Sequence, residues 1–205
     1  MKGRAEAIRV VTLRECAEVL PGFSVPGRLD HDMKGTHQVI TTKHLSDGVP
    51  YEYEESHELR IAPGRETAAY ELHRGDVLFM SRGTRNRAWV LESVAEPTIA
   101  PVSFYILRPR DGVDGGYLAW YLNQPQAQTE IGKLRTGAGT PLVQREAFQA
   151  ITVVIPSLDV QQEVRTLGIL LARERDLRHR LADATDRANT ALGANIIETL
   201  RKHHA

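Results

Sequence analysis

Residues Ile151–Lys202 read ITVVIPSLDVQQEVRTLGILLARERDLRHRLADATDRANTALGANIIETLRK, and this stretch decides the architecture. It opens on an apolar run, Ile151–Ile155, closed by Pro156. From Asp159 to Lys202 there is no proline, and the glycines are Gly168 and Gly193, which predicts one long helix or two collinear ones. Val160, Val164, Leu167 and Leu171 follow four- and three-residue steps. After the charged interval Arg173–Asp176 the stripe resumes at Leu177, Leu181, Ala184, Ala188 and Ala191, then Ile196 and Leu200, a change of frame like a coiled-coil stutter. A lone helix exposing that seam to water is unfavourable. Folding back on its own globule is one way to cover it. The reading adopted is pairing with a helix of another chain through Val164, Leu167, Leu171, Leu177, Leu181, Ala188, Ile196 and Leu200. The mixed charges around the seam suit a solvated outer face better than a phosphate-binding strip.

Upstream of Pro156 the grammar changes to short apolar runs punctuated by Gly, Pro and Asp. Leu13, Ala17 and Leu20 have helical spacing and stop at Pro21-Gly22. Strands are predicted at Gln38–Thr42, Leu59–Ala62, Ala69–Leu72, Val77–Met80, Ala88–Leu91, Pro101–Leu107 and Ile151–Ile155. Helices are predicted at Tyr117–Asn123, from Pro125 to about Leu134, and as one turn at Gln144–Ala150. Arg135–Pro141 (RTGAGTP) is too glycine-rich to be helical. Many short strands with few intervening helices indicate α+β. The expected organisation is a mixed-sheet domain over residues 1–156 followed by a long coiled-coil helix over 157–205.

The 205 residues carry 26 Lys+Arg against 26 Asp+Glu, and 41 % are hydrophobic, the balance of a folded globular protein. A single cysteine, Cys16, excludes an internal disulfide and fits a reducing compartment. No apolar run approaches the ~20 residues of a membrane span, and Met1–Arg9 holds charge but no hydrophobic signal core. A cytoplasmic protein with no membrane contact is expected. Zero net charge supplies no global field toward nucleic acid, so DNA binding would need sorted patches or a partner's positive surface.

Catalytic motifs are lacking. There is no Gly-x-Ser-x-Gly elbow, Walker loop or Rossmann fingerprint. His31 and His37 flank a loop, His57 and His73 lie among glutamates, and His203-His204 sit at the end, so no zinc spacing emerges. Glu52, Glu54, Glu55 and Glu58 alternate with Tyr51 and Tyr53 and read as a solvent-facing strand edge. The only Asn near aromatics, Asn123, lacks the prolines of an adenine-methylating motif. Three donor-rich loops stand out instead. Ser81–Arg87 (SRGTRNR) holds Arg82, Thr84, Arg85, Asn86 and Arg87; Lys133–Thr140 holds Arg135, Thr136 and Thr140; Thr41–His44 adds Lys43 at the end of a strand. Arginine and asparagine read guanine and adenine edges bidentately, and amides near glycine hold phosphates. Those nine residues are the candidate DNA contacts.

In order, the segments resemble one target-recognition domain, with its following helix, of the specificity (S) subunit of type I restriction–modification systems. Val11–Gly22 resembles the opening strand, short helix and Gly turn. Leu72, Gly75, Asp76, Val77 and Leu78 match the Leu-x-x-Gly-Asp-Val/Ile-Leu pattern, and Ser81–Thr84 stands in place of its polar turn. Tyr117–Leu122 is similar to the Tyr-Leu-x-x-x-Leu helix, and Gly139–Ile155 to the Gly-Thr run with its closing strand. Ile155–Val164 (IPSLDVQQEV) resembles Ile-Pro-Pro-Leu-x-Glu-Gln-x-x-Ile, with Ser157 for the second proline, Val160 for Glu and Val164 for Ile.

The family's usual chain carries two such domains and two such helices. The resemblance therefore implies a half-length, non-catalytic S subunit that reads one half of a bipartite target in double-stranded DNA. As a homodimer it would pair its helices antiparallel about a twofold. At 1.5 Å per residue the helix spans roughly 65 Å, close to two turns of duplex. The implied partners are a modification (M) subunit, which carries S-adenosylmethionine and methylates adenine, and a restriction (R) subunit. No cofactor or metal is expected on this chain. The competing reading is a coiled-coil protein–protein adaptor that does not recognise DNA.

Overall fold

From Arg9 the chain runs β1 (Arg9–Thr12), α1 (Leu13–Cys16), β2 (Ala17–Pro21), β3 (His37–Val39), β4 (Arg60–Ile61), β5 (Val77–Met80), β6 (Ala88–Val90), β7 (Thr98–Ile99) and β8 (Phe104–Pro109). It continues through α2 (Gly115–Leu122), α3 (Pro125–Lys133), β9 (Arg135–Thr136), β10 (Leu142–Val143), α4 (Arg145–Gln149), β11 (Thr152–Ile155) and α5 (Leu158–His203). This is a computed structural model, and it describes residues 8–25 and 27–203. The opening Met1–Ala7, part of the stretch read as lacking a signal core, lies outside the described residues, as does His204.

The architecture is α+β. A four-stranded antiparallel sheet in the order β2-β8-β5-β6 forms its centre. Val77, Leu78 and Phe79 on β5 are all fully buried because both faces of this sheet are covered. On one face Val77, Phe79 and Leu107 meet Leu13, Tyr117, Leu118, Leu122, Phe148, Val153 and Ile155. On the other, Leu78, Trp89 and Ile106 meet Ile40, Tyr51, Leu72 and Leu91. Phe79 and Phe148 stack with centroids 4.1 Å apart, each ring contributing roughly 1.5–3 kcal/mol by leaving water. A mixed three-stranded sheet, β4-β3-β7, surrounds a smaller core of Phe23, Val39, Ile61 and Ile99. β1 and β11 pair antiparallel, so the start of the domain closes on the strand that feeds α5.

The structure corrects several predicted elements. The helical spacing of Leu13, Ala17 and Leu20 does not carry through. Glu15 caps its own turn by accepting from the Thr12 amide and hydroxyl, and the helix ends at Cys16. From Ala17 the chain becomes a strand because β8 offers a ladder partner, with Ala17 and Val19 inward and Glu18 outward. Ala69–Leu72 is not a strand: Ala68–Tyr70 is a single tight turn. The strand expected at Gln38–Thr42 ends at Val39, and Lys43 sits on a 3-10 turn, Thr42–His44. The glutamate stretch is no strand edge either, since Glu55–His57 coil into a 3-10 turn.

α5 leaves the domain through a junction built around Gln161. Its buried amide donates to Gly112 O (3.0 Å) and Pro156 O (2.9 Å) and accepts from Asp114 N (2.8 Å). The first turns of the helix then lie on α2. Gly168 faces the Trp120 indole so closely that a Cβ there would collide with Cδ1, and Gly116 faces Arg165 in the same way. Arg165 is ion-paired to Asp114 (3.0 Å) and to Glu92. Ala172 is buried against the Gly48 turn. Val164, predicted as part of the intermolecular seam, packs instead against the core of its own globule. Among the described residues no helix is long and apolar enough to cross a membrane.

Candidate nucleic-acid interface

Two of the three donor-rich loops, far apart in sequence, become one surface. The backbone joins them: Gly83 N donates to Pro141 O (2.8 Å) and Val143 N to Ser81 O (2.9 Å). Arg82 forms an antiparallel bridge with Leu142. Beneath them Tyr105 donates its hydroxyl to Val143 O at 2.7 Å, and burial raises the phenol's pKa. Gly83, at φ 89°, supplies the left-handed turn residue that lets the first loop reverse.

The side chains then divide. Arg82, Thr84, Arg85, Thr136 and Thr140 are exposed. Thr136 is partly engaged, donating to Leu142 O (3.3 Å) and accepting from Gln144 Nε2 (3.1 Å). Arg87 is half-buried and lines a cleft of about 410 Å³ with Trp120 and Arg175, between the domain and α5. Asn86, expected as a DNA contact, is fully buried. Its Nδ2 donates to Met80 O (2.8 Å), and its Oδ1 accepts from Arg135 Nε (2.7 Å). It therefore spans the two loops from inside and does not reach solvent. Lys43 is exposed, but no hydrogen bond or ion pair among the described residues ties it to either loop.

Three supporting residues escaped sequence reasoning. Gln128 on α3 donates to Asn86 O and Leu122 O, both at 2.7 Å. Asn123 clamps the outer edge of β6, accepting from Ala88 N (3.0 Å) and donating to Ala88 O (2.8 Å). It thus substitutes for a neighbouring strand. Gln144 holds Thr136. No spacing rule finds such residues, because their partners lie up to 42 positions away.

Cys16 donates to Thr12 O (3.2 Å), and burial pushes its thiol up to about 11, so it is no thiolate at neutral pH. Three of the histidines, His37, His44 and His57, serve the fold. His37 bonds Thr36 and Thr67, each at 2.8 Å, and His44 accepts from Thr41 N (3.1 Å) while stacking on His57. Burial and then the neighbouring His57 lower the pKa of His44, favouring its neutral form. Among the described residues no group of three or more His, Cys, Asp or Glu is arranged to hold a metal ion.

No family model and no curated protein matches the chain by sequence. Solved structures that share its fold include S subunits of type I restriction–modification systems. The S subunit from M. genitalium matches with a TM-score of 0.56 at 11 % identity, over 87 % of this chain and 43 % of that one. The HsdS subunit from Thermoanaerobacter tengcongensis matches with a TM-score of 0.59 at 16 % identity, over 84 % and 39 %. A chain from a structure describing complex assembly and conformational transition of the type I R-M system matches at 0.60 and 16 %, over 89 % and 43 %. The likeness is one of fold, and this chain spans about two-fifths of the length of each relative.

Proposed function

We propose that this chain, sharing the fold of half a type I specificity subunit, is the DNA-recognition component of a type I methyltransferase and acts as a homodimer. Each copy reads one half of a bipartite, palindromic target through the joined Ser81–Arg87 and Lys133–Thr140 surface. Each recruits one M subunit, which binds S-adenosylmethionine and methylates adenine; an R subunit is the further partner of a cleaving system. The chain itself carries no chemistry, and the assembly works in the cytoplasm. Residues 1–156 form the recognition domain and 157–205 the helix that pairs and spaces two copies.

The observation that carries this reading is the helix α5, anchored on its own domain by one face and uncovered on the other. Leu167, Leu171, Leu177, Leu181, Ile196 and Leu200 are each 51–68 % exposed. A second copy of the helix, run antiparallel, would cover that face and bring a second recognition domain alongside the first. Neutral overall charge suits a reader that borrows non-specific affinity from its partner, so binding by the chain alone should be weak and fall steeply with salt.

The test is co-expression with an adenine-methylating type I M subunit, followed by mapping of methylated adenines in host DNA. A bipartite palindromic motif is expected. Replacing Arg82, Arg85 and Arg87 by alanine should abolish target binding, and with it methylation, while the complex still purifies intact. A complex that assembles yet methylates no defined sequence would overturn DNA reading in favour of the adaptor.

A further inference from the structure

The surface joining the two loops does not treat its arginines alike. Arg82 and Arg85 stand in solvent with no side-chain hydrogen bond or ion pair described. Arg135 is different. Its Nε donates to Asn86 Oδ1 at 2.7 Å, and Asn86 is itself immobilised by the bond from its Nδ2 to Met80 O and by Gln128 holding its carbonyl. The guanidinium also lies against the last turn of α3, with Nη1 3.9 Å from where a Cβ on Gly132 would sit. An arginine gripped by Nε from behind has its rotamer entropy already spent, and its terminal Nη1/Nη2 edge presents two parallel donors in a fixed direction. Two parallel donors match the O6 and N7 acceptors that guanine displays in the major groove. Arginines whose side chains no neighbour fixes suit phosphates, which ask for charge and tolerate imprecise geometry.

Resting on the DNA-reading function proposed above, we infer that Arg135 reads a guanine edge in the half-site and that buried Asn86 is its positioning residue. Arg82 and Arg85 contribute backbone affinity. Asn86 thus acts on DNA through Arg135 and not by direct contact.

The experiment selects bound duplexes from a pool of random-sequence double-stranded DNA, using the full chain in complex with its methyltransferase subunit. The wild type should enrich a motif with an invariant guanine in each half. Arg135→Lys keeps the charge and removes the fork; it should relax that one base pair by roughly 5- to 150-fold while the remaining positions stay selective. Asn86→Ser should relax the same base pair with Arg135 intact. Arg82→Ala with Arg85→Ala should lower affinity for all sequences and flatten the salt dependence without altering the motif. A purely structural role for the Asn86–Arg135 pair would lower the melting temperature and weaken all sequences equally, overturning the inference. So would a motif unchanged in Arg135→Lys. A wild-type complex that enriches no motif overturns the DNA-reading function itself, and so the two failures are distinct.

Discussion

At Gln161 one buried amide makes three hydrogen bonds to three separate backbone groups, those of Gly112, Asp114 and Pro156. Together they tie the loop before α2, the end of β11 and the first turn of α5. Gln161→Leu keeps the volume but takes away the partner that these three backbone groups share. The expected loss is about 2–3 kcal/mol, or roughly 5–10 °C in Tm for a chain of this size. Thermal unfolding followed by circular dichroism measures it, and an unchanged Tm would mean that the junction is held by other contacts. Asp76 is a second case. It is buried, takes the His73 amide at 3.0 Å and pairs with Arg108 at 3.3 Å, while Gly75 before it adopts φ 91°. The Gly-Asp-Val-Leu pattern legible in the sequence is therefore a turn with a satisfied carboxylate feeding a central strand.

The elements show where period-reading succeeds and where it fails. β5 lies at Val77–Met80 as expected, and α2 and α3 start and end within two residues of their predicted limits. Their signals are local: apolar runs, Asp114 accepting from Tyr117 N at 2.7 Å, and Pro125 opening α3. α1 and β2 failed because helical spacing over Leu13–Leu20 competes with a ladder that only β8, ninety residues away, provides. The two glycines of α5 give a paired prediction. Gly193 has open space around it, so Gly193→Ala should stabilise by up to about 1 kcal/mol through helix propensity. Gly168 is pressed on Trp120, so Gly168→Ala should destabilise by roughly 1–3 kcal/mol despite the same propensity gain. Urea melts of both variants measure this, and equal stabilisation would show that α5 is not seated on α2.

Across the whole molecule, α5 is a two-faced rod. Gln161, Val164, Arg165, Gly168 and Ala172 turn toward the domain, while Leu167, Leu170, Leu171, Leu177 and Leu181 turn toward solvent. Steps of 100° per residue put the exposed set on one stripe roughly 120° wide. A stripe running most of the way along some 69 Å of helix is larger than a lone protein ordinarily leaves in water. Leu181→Asp with Ile196→Asp places carboxylates in it, at a cost to pairing of several kcal/mol. Light scattering should report a dimer for the wild type and a monomer for the double variant. A wild type already monomeric would contradict self-pairing and favour a second, different specificity fragment.

The sequence by itself determined the long helix, its apolar stripe, the central strands β5, β6 and β8 and the loops rich in arginine, because each is written in spacing between near neighbours. Tertiary structure alone decided that two of those loops share one surface, that Asn86 lies beneath it holding Arg135, and that Val164 belongs to the globule. Those outcomes depend on partners 49 or more positions away in the first pair and on the way α5 lies across α2 in the last. Burial and hydrogen bonding between such partners arise only once the chain has closed on itself.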